Sequence, residues 1–390
     1  MDVTLLLLAL LGHAVLWVAV GNRIHATALP HWMTGCLSLL CIACLLLVPA
    51  GLAWWSIHAA VGAFAGLRWS DVPLPIVPYL GACWVAAVAA IVRWVRRGLL
   101  HRPPAVLRWH RTRLVELAQD CTQLALEEHA HHFLVRLPRN EILKLDVTER
   151  AIEVPRLAPA LDGLSIVHLS DFHFTGRVGK AYFQEVVRRS NQMQPDLVAI
   201  TGDLVDRAPQ IDWIPDTLGR LRARHGVYFV LGNHDLRVDT KRLCRVLEES
   251  GLVGLGGRWV QVQIRGQPVV LAGNELPWFV PAADMSSCPA RSGDGPLRIV
   301  LAHSPDQLDW AQAQDADLLL AGHTHGGQIR LPLIGPILSP TREGVRYASG
   351  VFYAPPTIMH VTRGVSGLLP VRLKCPPEMV YLLLHAAKRE

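Results

Sequence analysis

The chain has 390 residues, 51% of them hydrophobic and only 18% charged, with a formal net charge of +6. That length holds one large domain and something more. The composition is too apolar for an ordinary soluble protein.

The apolar excess sits at the N-terminus. Thr4 to Gly21, Trp32 to Trp55 and Ile76 to Val92 are three apolar runs, each close to the ~20 residues that cross a ~30 Å hydrocarbon core. Ala59 to Leu67 is apolar but too short to span and reads as part of a loop. Only Asp2 precedes the first run, so the positive region of a cleaved signal peptide is missing and an uncleaved anchor is expected. After the third run come Arg93, Arg96, Arg97, Arg102, Arg108, Arg111 and Arg113, with no acidic residue before Glu116. The positive-inside rule then puts everything after Val95 in the cytoplasm, on a multi-pass anchor in the plasma (inner) membrane. The same arginines, interleaved with Trp94 and Trp109, are candidates for anionic headgroup contact. They supply much of the basic charge, which is therefore no sign of a nucleic-acid partner. Cys36, Cys41, Cys44 and Cys83 lie within the apolar runs, and Cys121, Cys244, Cys288 and Cys375 are far apart with no C-x-x-C pair among those four, so reduced thiols are expected.

Three regions follow: 1–97 as a membrane module, 98–138 as a polar, Arg-rich connector, and 139–390 as the remaining domain. The connector reads as helical from Leu114 to Glu128. Its tract His129-Ala-His131-His132 reads as a solvated helix end before a metal site. From Arg139 short β-like runs alternate with Gly, Pro and Asp signals. Strands are expected at Ile142–Val147, Leu164–Leu169, Leu197–Thr201, Val227–Leu231, Val269–Ala272, Ile299–Ala302 and Leu318–Ala321. Helices are expected at Lys180–Gln192, Trp213–Arg224 and Thr240–Ser250. Thr357–Thr362 and Val371–Leu384 look β-rich and close the domain. Alternating strand and helix argues an α/β domain.

Polar residues gather just after these strands: Asp171-Phe-His173, Gly202-Asp203, Gly232-Asn233-His234, His303, and His323-Thr-His325. In open α/β sheets the carboxyl ends of strands line the ligand crevice, so residues far apart in sequence converge there. Two carboxylates, an asparagine oxygen and several imidazoles suit borderline divalent ions such as Mn, Fe, Co or Zn. They are enough for two ions ~3.5–4 Å apart, the spacing of two-metal hydrolases. Ions that close repel, and Asp203, placed centrally, is the natural bridging anion. The site would stay positive, attract a phosphate ester and activate a water as hydroxide near neutral pH. His234, next to Asn233, is placed to protonate a departing alkoxide, and Asp206 to orient that imidazole.

D-x-H, G-D-x-x-D, G-N-H-D, A-H-S and G-H-T-H-G-G-Q together resemble the calcineurin-like metallophosphoesterases, over about Leu161 to Leu384. Gly322 to Pro332, with Thr362-Arg-Gly364 and Pro377-Glu378, is similar to the branch with N-terminal membrane segments. The resemblance implies a four-layer α/β/β/α sandwich preceded by an all-helical transmembrane module. It implies one metal on Asp171, His173, Asp203 and His325 and a second on Asp203, Asn233, His303 and His323. His234 would be the general acid or a phosphate contact. Arg207 is like the phosphate-binding arginine of the phosphoprotein phosphatases, with Ala208 where they carry glycine. The expected activity is hydrolysis of a phosphate ester or pyrophosphate at the membrane, with a lipid-linked substrate such as a UDP-diacylglucosamine as one candidate. The alternative is a non-catalytic scaffold on the same fold, like a retromer subunit whose metal site is incomplete.

Overall fold

The structure, a computed structural model, describes residues 3–58, 74–100, 103–117, 133–289 and 295–387. The chain divides into two compact units, Met1–Arg102 and Pro103–Glu390.

In the first unit the three apolar runs form α1 (Val3–Ile24), α2 (His31–His58) and α3 (Val77–Leu100), all long and apolar enough to cross a membrane. Trp32, Leu39, Leu47 and Val85 are exposed on these helices, as a hydrocarbon solvent permits. A polar cluster joins all three. Trp17 Nε1–H donates to Tyr79 OH (3.1 Å), which donates to His13 Nδ1 (2.6 Å), while His13 Nε2 reaches Cys44 O (3.1 Å). A buried ionisable group at such depth is tolerated only with its partners supplied. The expected loop at Ala59–Leu67 lies outside the described residues.

The second unit begins with β1 (Leu107–Glu116), β2 (Lys144–Val154), β3 (Leu164–Leu169), α4 (Lys180–Gln192), β4 (Leu197–Thr201) and β5 (Val227–Val230). It continues with α5 (Thr240–Glu249), β6 (Val253–Gly254), β7 (Trp259–Ile264), β8 (Gln267–Asn274), β9 (Leu297–Ala302), α6 (Leu308–Ala313) and β10 (Leu318–Ala321). A small hairpin of β11 (Arg330–Leu331) and β12 (Gly335–Pro336) precedes β13 (Gly350–Ala354), β14 (Thr357–Val361) and β15 (Glu378–Ala386). One sheet has the order β1-β2-β15-β3-β4-β5-β6 and the other β13-β14-β10-β9-β8-β7. Strand alternation builds the layers, since successive side chains face opposite sides. Leu164 and Ile166 of β3 pack with Leu318 and Leu320 of β10 in the core between the sheets. Val167 and Leu169 turn outward onto Phe183 of α4 and Leu243 of α5. Leu319 and Ala321 turn outward onto Leu308 and Ala311 of α6. The result is the four-layer α/β/β/α sandwich.

Besides shifted strand bounds (β2 runs Lys144–Val154 and β15 begins only at Glu378) and the unexpected β7 and β13, two elements differ in kind from expectation. Leu107–Glu116, read as connector and at its end as helix, is the edge strand β1, antiparallel to β2. Its side chains are exposed along most of its length, so no apolar period marks it. Arg108 is drawn to Glu153 at 2.8 Å, and Arg108, Arg111 and Arg113 are thus sheet residues. From Ala118 on, that expected helix lies outside the described residues, as do Cys121 and the His129–His132 tract. Trp213–Arg224 forms two 3-10 stretches in place of an α-helix; Pro215 removes a backbone donor inside it.

β15 lies between β2 and β3 and brings Glu378 into the interior. The buried carboxylate takes Arg150 at 2.8 Å and Arg363 Nε at 3.3 Å, while Arg363 Nη2 also holds Asp146 at 2.7 Å. Burial alone would raise Glu378, yet the two guanidinium groups hold it well below the usual carboxylate range. The network fixes the Arg363–Gly364 turn, and Val365 N–H and Ser366 N–H then donate to Ser170 O (2.9 Å) and Asp171 O (3.0 Å). This is how the C-terminal strand supports the first polar loop.

Candidate metal centre

β3, β4, β5, β9 and β10 each end in a polar loop, and the two sheets bring those ends together. The loops are cross-tied: Asp171 N–H donates to Gly202 O (3.0 Å), His173 N–H to Asp203 O (2.9 Å) and Gly322 N–H to His303 O (2.9 Å). Asp171, His173, Asp203, His323 and His325 all have left-handed backbones, with φ of 55°, 47°, 55°, 69° and 50°. For residues with a Cβ this costs on the order of 1 kcal/mol or more each and persists where structure over-determines it, typically at functional sites. A Cβ on Gly232 would lie 2.3 Å from Asp203 Oδ1, and one on Gly322 1.9 Å from Ser170 Oγ. Glycine is required at both by close approach.

Asp171, His173, Asp203 and His325 each offer a ligand atom within 4.8 Å of the others, and Asp203, His303 and His323 do the same. Asp203 is common to both groups. Its Oδ2 stands 3.5 Å from His173 Nε2 and 3.3 Å from His303 Nε2. Its Oδ1 accepts the His234 N–H at 2.8 Å. His173 Nε2 approaches His325 Nε2 to 3.2 Å, and His303 Nε2 approaches His323 Nδ1 to 3.0 Å. His303 Nδ1–H donates to Thr201 O (2.7 Å) and His173 Nδ1–H to Asp206 Oδ2 (2.8 Å). In the neutral rings this leaves both Nε2 atoms basic, the arrangement that carboxylate and carbonyl partners impose on ligand histidines. Asn233 Oδ1 is buried with no hydrogen-bond partner among the described residues, a costly state for a carbonyl oxygen unless a cation meets it. The donor set and this orphaned oxygen fit two divalent ions.

The electrostatics agree. Burial would raise Asp203, but the His303 and His234 rings hold it well below its ordinary value. Against burial, Asp203 and Asp171 push His303 up to about 9. Burial, then Arg372, drives His325 well below the usual imidazole range. Negative charge is concentrated here with protons as its counter-charge, and a metal must displace them.

Beside the cluster, Asp206 Oδ1 accepts from His234 Nδ1 at 2.6 Å, so the expected orienting contact is present. The same carboxylate accepts from His173 and from Arg237 Nη1 (3.1 Å). Burial opposes its charge, but His173 and His234 hold Asp206 below the carboxylate range. His234 keeps partial exposure, and its ring meets that of His173 edge-on at 4.7 Å. Arg207 is exposed at the start of the following 3-10 stretch, outside this hydrogen-bonded cluster.

Several supports were not foreseen. Asp235 accepts the N–H groups of Leu204 (2.9 Å), Val205 (3.0 Å) and Gly232 (2.8 Å), lacing two loops together. Glu275, at the end of β8, accepts Leu231 N–H at 2.6 Å, and burial pushes it up to about 7. Fully buried Arg372 donates to His325 O at 2.8 Å and to Arg363 O at 2.9 Å. Trp278 packs on His303 and His323, with centroids 5.5 and 4.9 Å apart. Asp235, adjacent to His234 in the motif, and Glu275, an acidic residue just after the strand at Val269–Ala272, carried a local sequence signal, though neither was given this role.

Residues 164–327 match the family described as calcineurin-like phosphoesterase. Phosphodiesterase YaeI of Escherichia coli (strain K12) is 31% identical over 224 residues, which are 56% of this chain and 81% of that protein. The uncharacterized metallophosphoesterase YkuE of Bacillus subtilis (strain 168) is 29% identical over 256 residues, 62% of this chain and 86% of that one. A transmembrane protein with metallophosphoesterase domain from Danio rerio is 31% identical over 257 residues, 62% of this chain and 57% of that protein.

Proposed function

Since the chain belongs to the calcineurin-like phosphoesterases, metal-dependent hydrolases of phosphate esters, we propose that its residues hold two divalent ions bridged by Asp203. Asp171, His173 and His325 complete one ligand set, and Asn233, His303 and His323 the other. The observation that carries this reading is the convergence of both groups on Asp203 beside the unpartnered Asn233 oxygen. When bound, such ions acidify water and draw charge from the phosphoryl group. The protein's own part is proton delivery. With His234 Nδ1 committed to Asp206, His234 Nε2 gives its proton to the departing alkoxide as the ester P–O bond breaks. Asp206 stabilises the imidazolium before the acid step and holds the ring in one orientation. Arg237, tied to Asp206, adds positive charge beside the ring.

The reading extends to a membrane enzyme. The three apolar helices and the arginines after the third support a multi-pass anchor in the plasma membrane with a cytoplasmic phosphoesterase domain. The substrate class we infer is a phosphodiester, and the anchor favours a lipid-linked one.

Metal-stripped protein given Mn²⁺ should hydrolyse bis-p-nitrophenyl phosphate, and no turnover with any divalent ion would sink the proposal. Asp203→Ala should lose metal and activity together. His234→Ala should keep its metal while turnover of an ester with a poor leaving group collapses; equal metal loss in the two variants would refute His234 as the acid. A C-terminal reporter active only outside the cytoplasm would overturn the orientation.

A further inference from the structure

The loop that follows the His323–His325 pair is an exposed apolar hairpin. From Ile329 to Leu338 the sequence is Ile-Arg-Leu-Pro-Leu-Ile-Gly-Pro-Ile-Leu, with β11 and β12 paired antiparallel at its base. Leu333 at the tip is 92% exposed, Leu338 59% and Ile334 53%. Leu333 is also held at φ 65°, a strained backbone for a leucine that keeps it at the crest of the turn. The one charged residue of the stretch is turned inward: Arg330 Nε donates to Gly326 O (2.8 Å) and its Nη2 to Ser349 Oγ (2.7 Å). What the hairpin offers to its surroundings is therefore wholly apolar. A further apolar side chain, Leu369, is half-exposed on the adjoining loop, and its carbonyl accepts from Gln328 Nε2 at 2.7 Å.

This surface is built onto the metal centre. Gly326 and Gly327 follow His325 directly, and a Cβ on Gly327 would lie 2.4 Å from Pro336 Cβ. Contiguous exposed apolar surface marks an interaction site. Its chemistry argues for lipid over protein, because protein hot spots are rich in Trp, Tyr and Arg, and the tip holds Leu, Ile, Pro and Gly alone. The chain supplies the bilayer itself through three helices able to span it. Only the short stretch between Leu100 and Leu107 links α3 to β1, and at ~3.5 Å per residue it reaches at most ~25 Å. A domain on so short a tether meets the bilayer surface at high effective concentration.

We propose that the hairpin tip around Leu333 and Ile334, with Leu338 and Leu369, enters the bilayer interface and presents the metal centre to phosphate esters of membrane lipids. The substrate half of this inference rests on the phosphoesterase reading; the insertion half does not. The test uses the full chain in phosphatidylethanolamine–phosphatidylglycerol nanodiscs. With Leu333→p-benzoylphenylalanine, illumination should give a phospholipid-mass adduct on the hairpin peptide, while the same residue at exposed Lys241 gives none. Adducts to a second copy or a co-purified protein, or no lipid adduct, overturn insertion. The double variant Leu333→Ser, Ile334→Ser should lose on the order of tenfold in kcat/KM on a phospholipid diester in the discs, with bis-p-nitrophenyl phosphate turnover retained. Unchanged lipid turnover, or equal loss on both substrates, overturns the presentation role. If the unaltered chain hydrolyses neither substrate, the phosphoesterase reading has failed, and the crosslink still decides insertion.

Discussion

Asp206→Asn tests the division between holding metal and delivering a proton. The carboxylate serves three donors at once: His173 Nδ1 at 2.8 Å, His234 Nδ1 at 2.6 Å and Arg237 Nη1 at 3.1 Å. Asparagine offers one oxygen, and its NH₂ would face one of the two imidazole N–H groups, so one histidine must turn or change tautomer. Losing the outer partner of a ligand histidine typically weakens metal affinity or activity 10–100-fold, about 1.4–2.7 kcal/mol. Misorienting a general acid forfeits part of a contribution of roughly 10²–10⁴. Together these predict kcat lower by roughly 10²–10³ at saturating Mn²⁺ and Mn²⁺ affinity about tenfold weaker. The assay is a metal titration with two phosphodiesters, one releasing p-nitrophenolate and one releasing an alkoxide. The alkoxide substrate should suffer more, because p-nitrophenolate leaves without protonation. Combined with His234→Ala, the second change should cost kcat no more than about tenfold further, since both act on one proton. Wild-type kcat at saturating metal, or effects that multiply in full, would refute the arrangement.

Further outcomes follow from the same geometry. Gly232→Ala places a methyl group 2.3 Å from Asp203 Oδ1 and should lower metal content by at least about tenfold and stability by about 1–3 kcal/mol, read by metal analysis and thermal melting. His303, held up to about 9 before metal binds, must lose its proton on loading. Mn²⁺ affinity should therefore rise up to about tenfold per pH unit from neutrality towards that value, with proton release seen by calorimetry in two buffers. His168, buried between the sheets and against His360 and Thr201, is driven down to about 3, first by burial. Its folded value lies below the unfolded one, so its contribution is present above ~6.5 and should shrink by about 2 kcal/mol from pH 7 to pH 5. His168→Gln should flatten that slope in melts of the metal-free protein. Chelation should lower the melting temperature, and readdition of Mn²⁺ at about 100 times its Kd should restore about 2.7 kcal/mol.

The residues we propose as metal ligands were legible because each motif is local. A strand of a few apolar residues ends in a glycine or a polar pair, and the chemistry sits one to three residues beyond it, as at Asp171, Asp203 and His323. β3, β4, β10 and α4 share their expected bounds for the same reason: burial on both faces, or a clean helical period, is written into consecutive residues. What escaped depends on sheet order. Nothing near Glu378 announces that β15 inserts between β2 and β3, so its pairing with Arg150 and Arg363 appears only in the fold. Glu275 and Arg372 act through backbone groups dozens of residues away. β1 escaped because an exposed edge strand has no buried face to leave a period, and its arginines read instead as a topology signal. Of the hairpin only Ile329 to Pro332 was read, as the end of a motif that stops short of Leu333, since apolarity in sequence says nothing of exposure.

A pair of ions sharing Asp203 would be seen most directly by electron paramagnetic resonance of the Mn²⁺-loaded chain with parallel metal analysis. Two Mn²⁺ per chain with an exchange-coupled spectrum, as expected at ~3.5–4 Å, is the predicted result, and Asp203→Asn should abolish the coupling. A single Mn²⁺ per chain giving an uncoupled six-line signal, unchanged by Asp203→Asn, would contradict it.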